Sequence, residues 1–432
     1  MRERFAPCRM PDGRPDAGPA EAAGTVAVSG GEGGVVPDPA DREAVMRALR
    51  QCEASGGTPC FSVVFPDGTT ENVGAADSGD AVAFRVTIRT RRAARAVAGL
   101  QEYAIADAFL DSEIDVEGNF LAVMDMRQHM TDRHPLWWFL RFAIPKLLGQ
   151  VRNDNRLTPR HYNHGNDFYF DFLDRDHRLY SQALYRGDDE TLEAAAAHKL
   201  ENAWQRLRLQ PGSRVLDVGA GWGSFSSFAA GRGADVTGLT LSSEQLAFLE
   251  KMAAQGGRPG AMRPRLENVY EHRPDQPYDA VVILGVMEHL PHYERLLAHL
   301  ATLLRDDGRV YMDFAANRTK YASSSFSYRH VFEGNHSLVH MPGLVAAINQ
   351  GPFEMVGIDN DRHSYFLTLR DWALNLEAAA PDLAARYGER TVRLFRLYLW
   401  GTARCMQAGL IESYRVVLQK SAGRESDLIG LR

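Results

Sequence analysis

The chain has 432 residues and a formal net charge of −6 at pH 7; that length exceeds one small core and implies two or three domains, and the negative balance argues against broad nucleic-acid binding. Its four cysteines, Cys8, Cys52, Cys60 and Cys405, are scattered with no C-x-x-C pair, which supports neither a metal site nor a disulfide framework and fits a reducing, cytoplasmic compartment. No apolar run reaches the roughly 18–20 residues that span a bilayer, and the first residues lack the apolar core of a signal peptide, so the expectation is a soluble protein that can still rest peripherally on the inner membrane surface.

Residues 1–40 are rich in Gly, Ala, Pro and Asp and nearly free of large apolar side chains. Such a segment cannot bury enough surface to offset its ordering entropy, so a disordered tail is expected. Residues 41–133 read as a small N-terminal α/β domain. Within it, residues 61–65 and 83–88 are strands, Pro66-Asp67-Gly68 is a turn and residues 91–100 are a short helix. The acids of residues 105–118 read, by residue chemistry alone, as a solvated face. Residues 134–158 are a linker helix with a broad apolar surface that includes Leu136, Trp137, Trp138, Phe139 and Phe142, interleaved with Arg141, Lys146 and Arg152. That composition suits either a helix lying among lipid head groups or one packed between domains.

Residues 159–432 read as one α/β domain. It opens with His161-Tyr162-Asn163-His164-Gly165-Asn166-Asp167 and then Tyr180-Ser181-Gln182, both dense in aromatic and polar groups. An Ala-rich helix over 191–207 leads into Arg214-Val215-Leu216-Asp217-Val218 and the turn Gly219-Ala220-Gly221-Trp222-Gly223. The apolar run is a buried parallel strand, and glycines let the backbone turn tightly and approach a ligand. No Lys-Ser/Thr follows the last glycine, so this is not a phosphate loop, and G-x-G-x-G fits the dinucleotide pattern poorly.

Further strands are expected at 235–240, 278–284 and 308–314, with Ser242 capping the helix after the first. Strands near 355–358 and 365–369 should finish the sheet, and helices over 372–405 should close the domain. Residues 316–350 hold no clear strand and read as an insertion over the site. Alternation of strand and helix implies a doubly wound, mostly parallel Rossmann-like sheet whose ligand sits at the strands' carboxyl ends. Gly219, Thr240, Met287-Glu288 and Asp313 all fall there.

Asp217 with G-x-G-x-G resembles motif I of class I S-adenosylmethionine methyltransferases. More specifically, residues 161–167 resemble the H-Y-D-x-G-N-D/E segment of cyclopropane fatty acid synthases and mycolic acid methyltransferases. Tyr180-Ser181, Asp217 to Gly223, Gly238-Leu239-Thr240-Leu241-Ser242-x-x-Gln245 and Gly285-x-Met287-Glu288-His289 match the same family in order and spacing. Residues 111–118 resemble the M-D-G-x-x-D-V-E-G segment of its N-terminal domain, so the resemblance spans about residues 45–420.

The resemblance implies methyl(ene) transfer from S-adenosylmethionine to the double bond of an unsaturated lipid acyl chain through a carbocation. It places Gly219, Gly221 and Gly223 near the cofactor's methionine part, with Asp217 in the same motif. Tyr180 and Ser181 close over that part, Thr240, Leu241 and Gln245 lie around ribose and adenine, and Asn268 lies near adenine. His161, Tyr162 and His164 suit substrate binding and structural hydrogen bonding equally, and no metal is implied. The family holds bicarbonate as its base, at positions that map onto Gln182, Glu288, Asp313, Ala315 and Tyr365. Glu288 and Tyr365 match, whereas Gln182, Asp313 and Ala315 stand where the family has Cys, His and Ile. A second carboxylate beside Glu288 would repel bicarbonate unless one acid were protonated, so Asp313 is expected to supply the carboxylate itself. The alternatives are a methyltransferase for a specialised small-molecule acceptor with an altered base site, and a non-catalytic cofactor- or lipid-binding protein. Oligomeric state is left open.

Overall fold

The computed structural model describes residues 35–74, 82–131, 165–319, 326–331 and 338–421. The expected linker helix, most of the expected tail, His161, Tyr162 and His164 lie outside the described residues.

The N-terminal unit begins with helix α1 (Pro39–Ser55), which starts inside the segment expected to be tail. Asp38 caps it: its carboxylate accepts from Asp41 N while Asp41 accepts from Asp38 N, and proline fills the first turn. Strands β1 (Phe61–Val64), β2 (Thr70–Val73) and β3 (Phe84–Ile88), helices α2 (Arg91–Ala98) and α3 (Glu102–Leu110), and strand β4 (Ile114–Gly118) follow. They form a four-stranded sheet in the order β2-β1-β3-β4.

The second unit contains helix α4 (Leu192–Arg206), strand β5 (Arg214–Val218), helix α5 (Ser224–Gly231), strand β6 (Asp235–Thr240), helix α6 (Ser243–Ala254), and strands β7 (Met262–Leu266) and β8 (Tyr278–Leu284). Helix α7 (Tyr293–Leu303), strands β9 (Leu304–Asn317) and β10 (Val339–His340), helix α8 (Met341–Gln350), strand β11 (Phe353–Asn360), helices α9 (Arg362–Tyr387) and α10 (Glu389–Gln407), and strand β12 (Glu412–Lys420) complete it. The sheet order is β11-β12-β9-β8-β5-β6-β7, with β10 beside the end of β9. Strands β5 to β9 run parallel, and β12 is antiparallel to both β9 and β11. The chain leaves β5 towards β6 and β7, then returns to β8 on the other side. That reversal opens the crevice between β5 and β8 in which such sheets take ligands.

Three expectations are corrected. Residues 365–369 lie in α9, not in a strand. Their unbroken apolar run fits a buried helix as well as a buried strand, and here Phe366, Leu367, Thr368 and Leu369 are all buried on a helix. The sheet is completed instead by β12, whose short Val416-Val417-Leu418 run is flanked by polar residues. The region expected to lack strands contains β10 and the helix α8.

Of the acids expected on a solvated face, Asp111 and Glu117 are exposed, but Glu113 and Asp115 are half-buried in ion pairs. Asp115 pairs with Arg89 and Arg393, and Glu113 lies 2.9 Å from Arg92. Arg393 on α10 also donates to the carbonyls of Phe109 and Ile114 at 3.1 and 3.0 Å. The acidic segment is therefore the seam along which the first unit grips α10. Burial pushes the Asp115 carboxyl up, but Arg393 and Arg89 outweigh it and hold the group below its usual range. No described helix is long and apolar enough to cross a membrane.

Candidate active site

The carboxyl ends of β5, β6 and β8 open on one pocket. Of the residues expected to bind a cofactor, Tyr180, Ser181, Asp217, Gly219, Gly221, Thr240, Leu241, Gln245 and Asn268 line it. The three glycines of the turn all have positive φ, at 75°, 55° and 81°, but their reasons differ. A Cβ on Gly219 would sit 2.4 Å from Val286 Cγ2, and one on Gly223 would sit 2.8 Å from Leu249 Cδ2. These two are glycine because protein atoms crowd them. A Cβ on Gly221 would meet only the Gly219 carbonyl, at 3.9 Å, so it would project into open space at the pocket wall. Gly223 itself packs against α6 and does not line the pocket.

Thr240 Oγ1 donates to Gln245 Oε1 at 2.8 Å and accepts from Ser242 N at 3.1 Å, which fixes the end of β6 against the first turn of α6. Ser242 caps that helix by accepting from Gln245 N. Asp217 is buried, with Ser226 Oγ donating to it at 2.6 Å; burial raises its carboxyl to about 6. Apolar walls from Phe225, Leu241, Val269 and Leu290, with polar groups from Asp217, Gln245, Glu267 and Asn268, suit a ligand that is part nucleoside and part amino acid.

The expected base residues form a layer behind this pocket rather than part of its lining. Glu288 follows β8 in a single 3₁₀ turn and is 6% exposed. Its Oε1 accepts from Ala315 N at 2.7 Å, while Oε2 has no hydrogen-bond partner among the described residues. Burial pushes the carboxyl up to about 7. Ala315 belongs to the apolar cluster that holds Tyr169, Phe172, Trp222 and Trp372, with Tyr180 and Tyr365 packed against it. Gln182 is buried and its Nε2 is likewise without a partner among the described residues. Its neighbours are stitched to α9: Ala183 N donates to Thr368 Oγ1 at 3.0 Å and Tyr185 N to Ser364 Oγ at 3.2 Å. Tyr365 lies between those two hydroxyl residues in sequence, on the same helix.

Asp313, expected to supply the base carboxylate, is held by a backbone donor and a buried cation. It is fully buried, its Oδ1 accepts from Gly285 N at 2.9 Å, and its Oδ2 lies 2.6 Å from Lys199 Nζ. The ion pair with a buried ammonium competes with a proton for Oδ2.

Lys199 itself escaped sequence reasoning, which saw only an Ala-rich helix. The signal was present: Leu192, Ala195, Ala196, Lys199, Leu200 and Ala203 share the buried face of α4, and a lysine in that stripe must find a partner. Trp222 was also missed. Its Nε1 donates to Asn166 Oδ1 at 2.7 Å, which ties residues 161–167 to the glycine turn through their one asparagine among the described residues. Arg178 lines the pocket and stacks its guanidinium 4.4 Å over Phe170 and 5.4 Å over Phe248.

Residues 150–416 match the family model described as mycolic acid cyclopropane synthetase. The probable fatty acid methyltransferase Rv3720 of Mycobacterium tuberculosis is 30% identical over 306 residues, covering 70% of each chain. The sphingolipid C9-methyltransferase B of Emericella nidulans is 26% identical over 332 residues, covering 73% of this chain and 65% of that one. Among solved structures, mycolic acid cyclopropane synthase CmaA1 complexed with SAH and CTAB superimposes with a TM-score of 0.58 and is 26% identical, covering 62% of this chain and 98% of that one. The glycine turn, the pocket at the strand ends and these likenesses agree: the chain belongs to the mycolic acid cyclopropane synthetase family, and it is a methyltransferase whose cofactor is S-adenosylmethionine.

Proposed function

We propose that the protein methylates an alkene carbon in the acyl chain of an unsaturated lipid, and that Glu288 accepts the proton released. The observation that carries this reading is Glu288 itself, a buried carboxylate with one free oxygen among the described residues, held by Ala315 at the edge of an aromatic cluster. The names of the relatives, which are fatty acid and sphingolipid methyltransferases, support a lipid acceptor.

S-adenosylmethionine supplies an electrophilic methyl group. Gly221 leaves room for it, Tyr180 and Ser181 wall it in, and Asp217, Thr240, Leu241, Gln245 and Asn268 complete the pocket. The alkene π pair becomes the new carbon–carbon bond, which leaves a carbocation on the acyl chain. The faces of Tyr169, Tyr180, Trp222 and Trp372 suit a positive charge and exclude water that would quench it. Loss of a proton to Glu288 from the new methyl group closes a ring, and loss from a neighbouring carbon gives a branched alkene. Either product is heavier than the acceptor by one CH2 unit. The Lys199 charge is already neutralised by Asp313, which favours proton transfer to Glu288 without bicarbonate. His161 and Tyr162 are proposed on sequence grounds to face the acyl chain.

The test is incubation with labelled S-adenosylmethionine and phospholipid vesicles in degassed buffer, followed by mass spectrometry. Unsaturated chains should gain one CH2 unit, saturated chains should not, and added bicarbonate should change nothing. Transfer only to small amines, hydroxyls or other soluble acceptors would overturn the lipid reading, and a strict bicarbonate requirement would overturn the base.

A further inference from the structure

We propose that Lys199 is a positioning residue of the methyl-transfer site, neutralising Asp313 so that Glu288 stands as the acceptor and fixing Ser181 in the cofactor wall. The proposal rests on the acceptor reading above and extends it to a residue that touches neither cofactor nor substrate.

The geometry is a buried bridge. Lys199 is 2% exposed and reaches from α4 to two groups. Its Nζ donates to Ser181 Oγ at 2.6 Å and lies 2.6 Å from Asp313 Oδ2. Asp313 Oδ1 in turn accepts from Gly285 N. Ser181 and Gly285 both line the pocket, and they stand against each other, since a Cβ on Gly285 would lie 3.0 Å from Ser181 Cβ. One ammonium therefore ties together two segments of the pocket wall, the turn before α4 and the end of β8.

The second consequence is electrostatic. Asp313 and Glu288 are both buried, on neighbouring strand ends, and two such carboxylates cannot both ionise without a cation. Burial is the main cause of the raised Glu288 carboxyl; Ala315 N–H opposes it, the Asp313 charge adds to the rise and Lys199 offsets it. Around Lys199 the facing groups are Asp313 on β9, Asp361 ahead of α9 and Arg415 on β12. Arg415 Nη2 lies 3.4 Å from Asp361 and its Nη1 donates to Asn202 on α4, so this outer pair is largely self-neutralised. Around Glu288 the facing groups are Asp313, Lys199 and the Tyr293 hydroxyl on α7. Removing Lys199 thus leaves Asp313 uncompensated beside Glu288. Removing both charges restores the balance, though not the hydrogen bond to Ser181.

The experiment compares wild type, Lys199→Met, Lys199→Arg and the double variant Lys199→Met/Asp313→Asn. Binding of S-adenosylhomocysteine is read by calorimetry, and the pH profile of kcat/KM is read on unsaturated phospholipid vesicles. Lys199→Met should weaken S-adenosylhomocysteine binding about tenfold, the effect of one lost charged hydrogen bond. It should also move the acid limb of the profile up by about one pH unit, as an unpaired like charge does. The double variant should return the limb to the wild-type position while its cofactor affinity stays weakened. A merely structural lysine would not separate the two readouts in this way. Should Lys199→Met fail to fold, Lys199→Arg and the double variant carry the comparison, and neither should displace the limb. An unmoved limb in Lys199→Met, a displaced limb in the double variant, or unchanged affinity in Lys199→Met overturns the proposal. A wild type that binds S-adenosylhomocysteine but methylates no vesicle lipid sinks the acceptor reading, while the affinity arm still tests Lys199 against Ser181.

Discussion

Replacing Gly221 with valine separates a glycine kept for a ligand from glycines kept for packing. At φ 55° an L side chain costs about 1–2 kcal/mol, and a β-branched one is at the upper end. For a chain of this size that corresponds to a fall in Tm of about 1–2 °C. No protein atom other than the Gly219 carbonyl lies within 4 Å of the added Cβ, so packing adds little further loss. The side chain would instead project into the pocket. S-adenosylhomocysteine affinity should fall at least about a hundredfold, which is about 2.8 kcal/mol. Gly223→Ala should behave in the opposite way. Its Cβ would be 2.8 Å from Leu249 Cδ2 and φ is 81°, so overpacking and backbone strain together should cost about 2–5 kcal/mol. The folded fraction should then bind within about threefold of wild type. Calorimetry and thermal denaturation on both variants make the comparison. Unchanged affinity in Gly221→Val, or lost affinity without lost stability in Gly223→Ala, would refute this division of roles.

Glu288→Gln should retain cofactor binding and lower methyl transfer by about 10²–10⁴-fold, the usual size for a lost general base; near wild-type turnover would remove Glu288 from that role. The same variant has a signature in stability. The Glu288 carboxyl is raised to about 7 when folded, above its unfolded value of about 4.3, so the folded state binds more protons and stability falls as pH rises through that window. Glu288→Gln should therefore gain stability relative to wild type between about pH 4.5 and 7.5, and urea midpoints that keep a constant difference across that range would contradict the burial argument. Arg393→Met removes the partner of Asp115 and the donor to two carbonyls at the seam between the units. A loss of about 2–3 kcal/mol is expected, less than for a fully buried pair because solvent reaches Asp115, and an unchanged denaturation midpoint would show that the seam is not held there. Replacing Trp137, Trp138 and Phe139 with serine should weaken vesicle binding without loss of thermal stability if residues 134–158 meet lipid; the reverse pattern would support packing between the units.

Most of the sheet was legible because its signals are local. A buried apolar run, a turn that needs positive φ and a hydroxyl at a helix start each act within a few residues, so β5, β6, β8 and the Ser242 cap follow from the sequence. Much of the pocket's lining was legible for the same reason, since the segments after β5, β6 and β8 follow strand ends, whereas Tyr180 and Ser181 follow no strand and were reached through the family resemblance. Strand β7 was missed because an exposed edge with Arg263, Pro264 and Arg265 carries no apolar pattern. Helix α9 was mistaken for a strand at its start because full burial erases the periodicity that tells the two apart.

What only the tertiary structure decided is who meets whom across long sequence separations. The sequence by itself determined a methyl-donor pocket, its glycine turn and two acids at neighbouring strand ends. It did not determine that Lys199, on a helix that looked like a connector, reaches Asp313 and leaves Glu288 with the free oxygen. Nor did it show that Asp115, in the acidic stretch, faces Arg393 of α10 rather than open water. The physical reason is the same in both cases. A charge's partner is set by which helix face the core buries and by the lateral order of strands, and neither is written in the few residues around the charge.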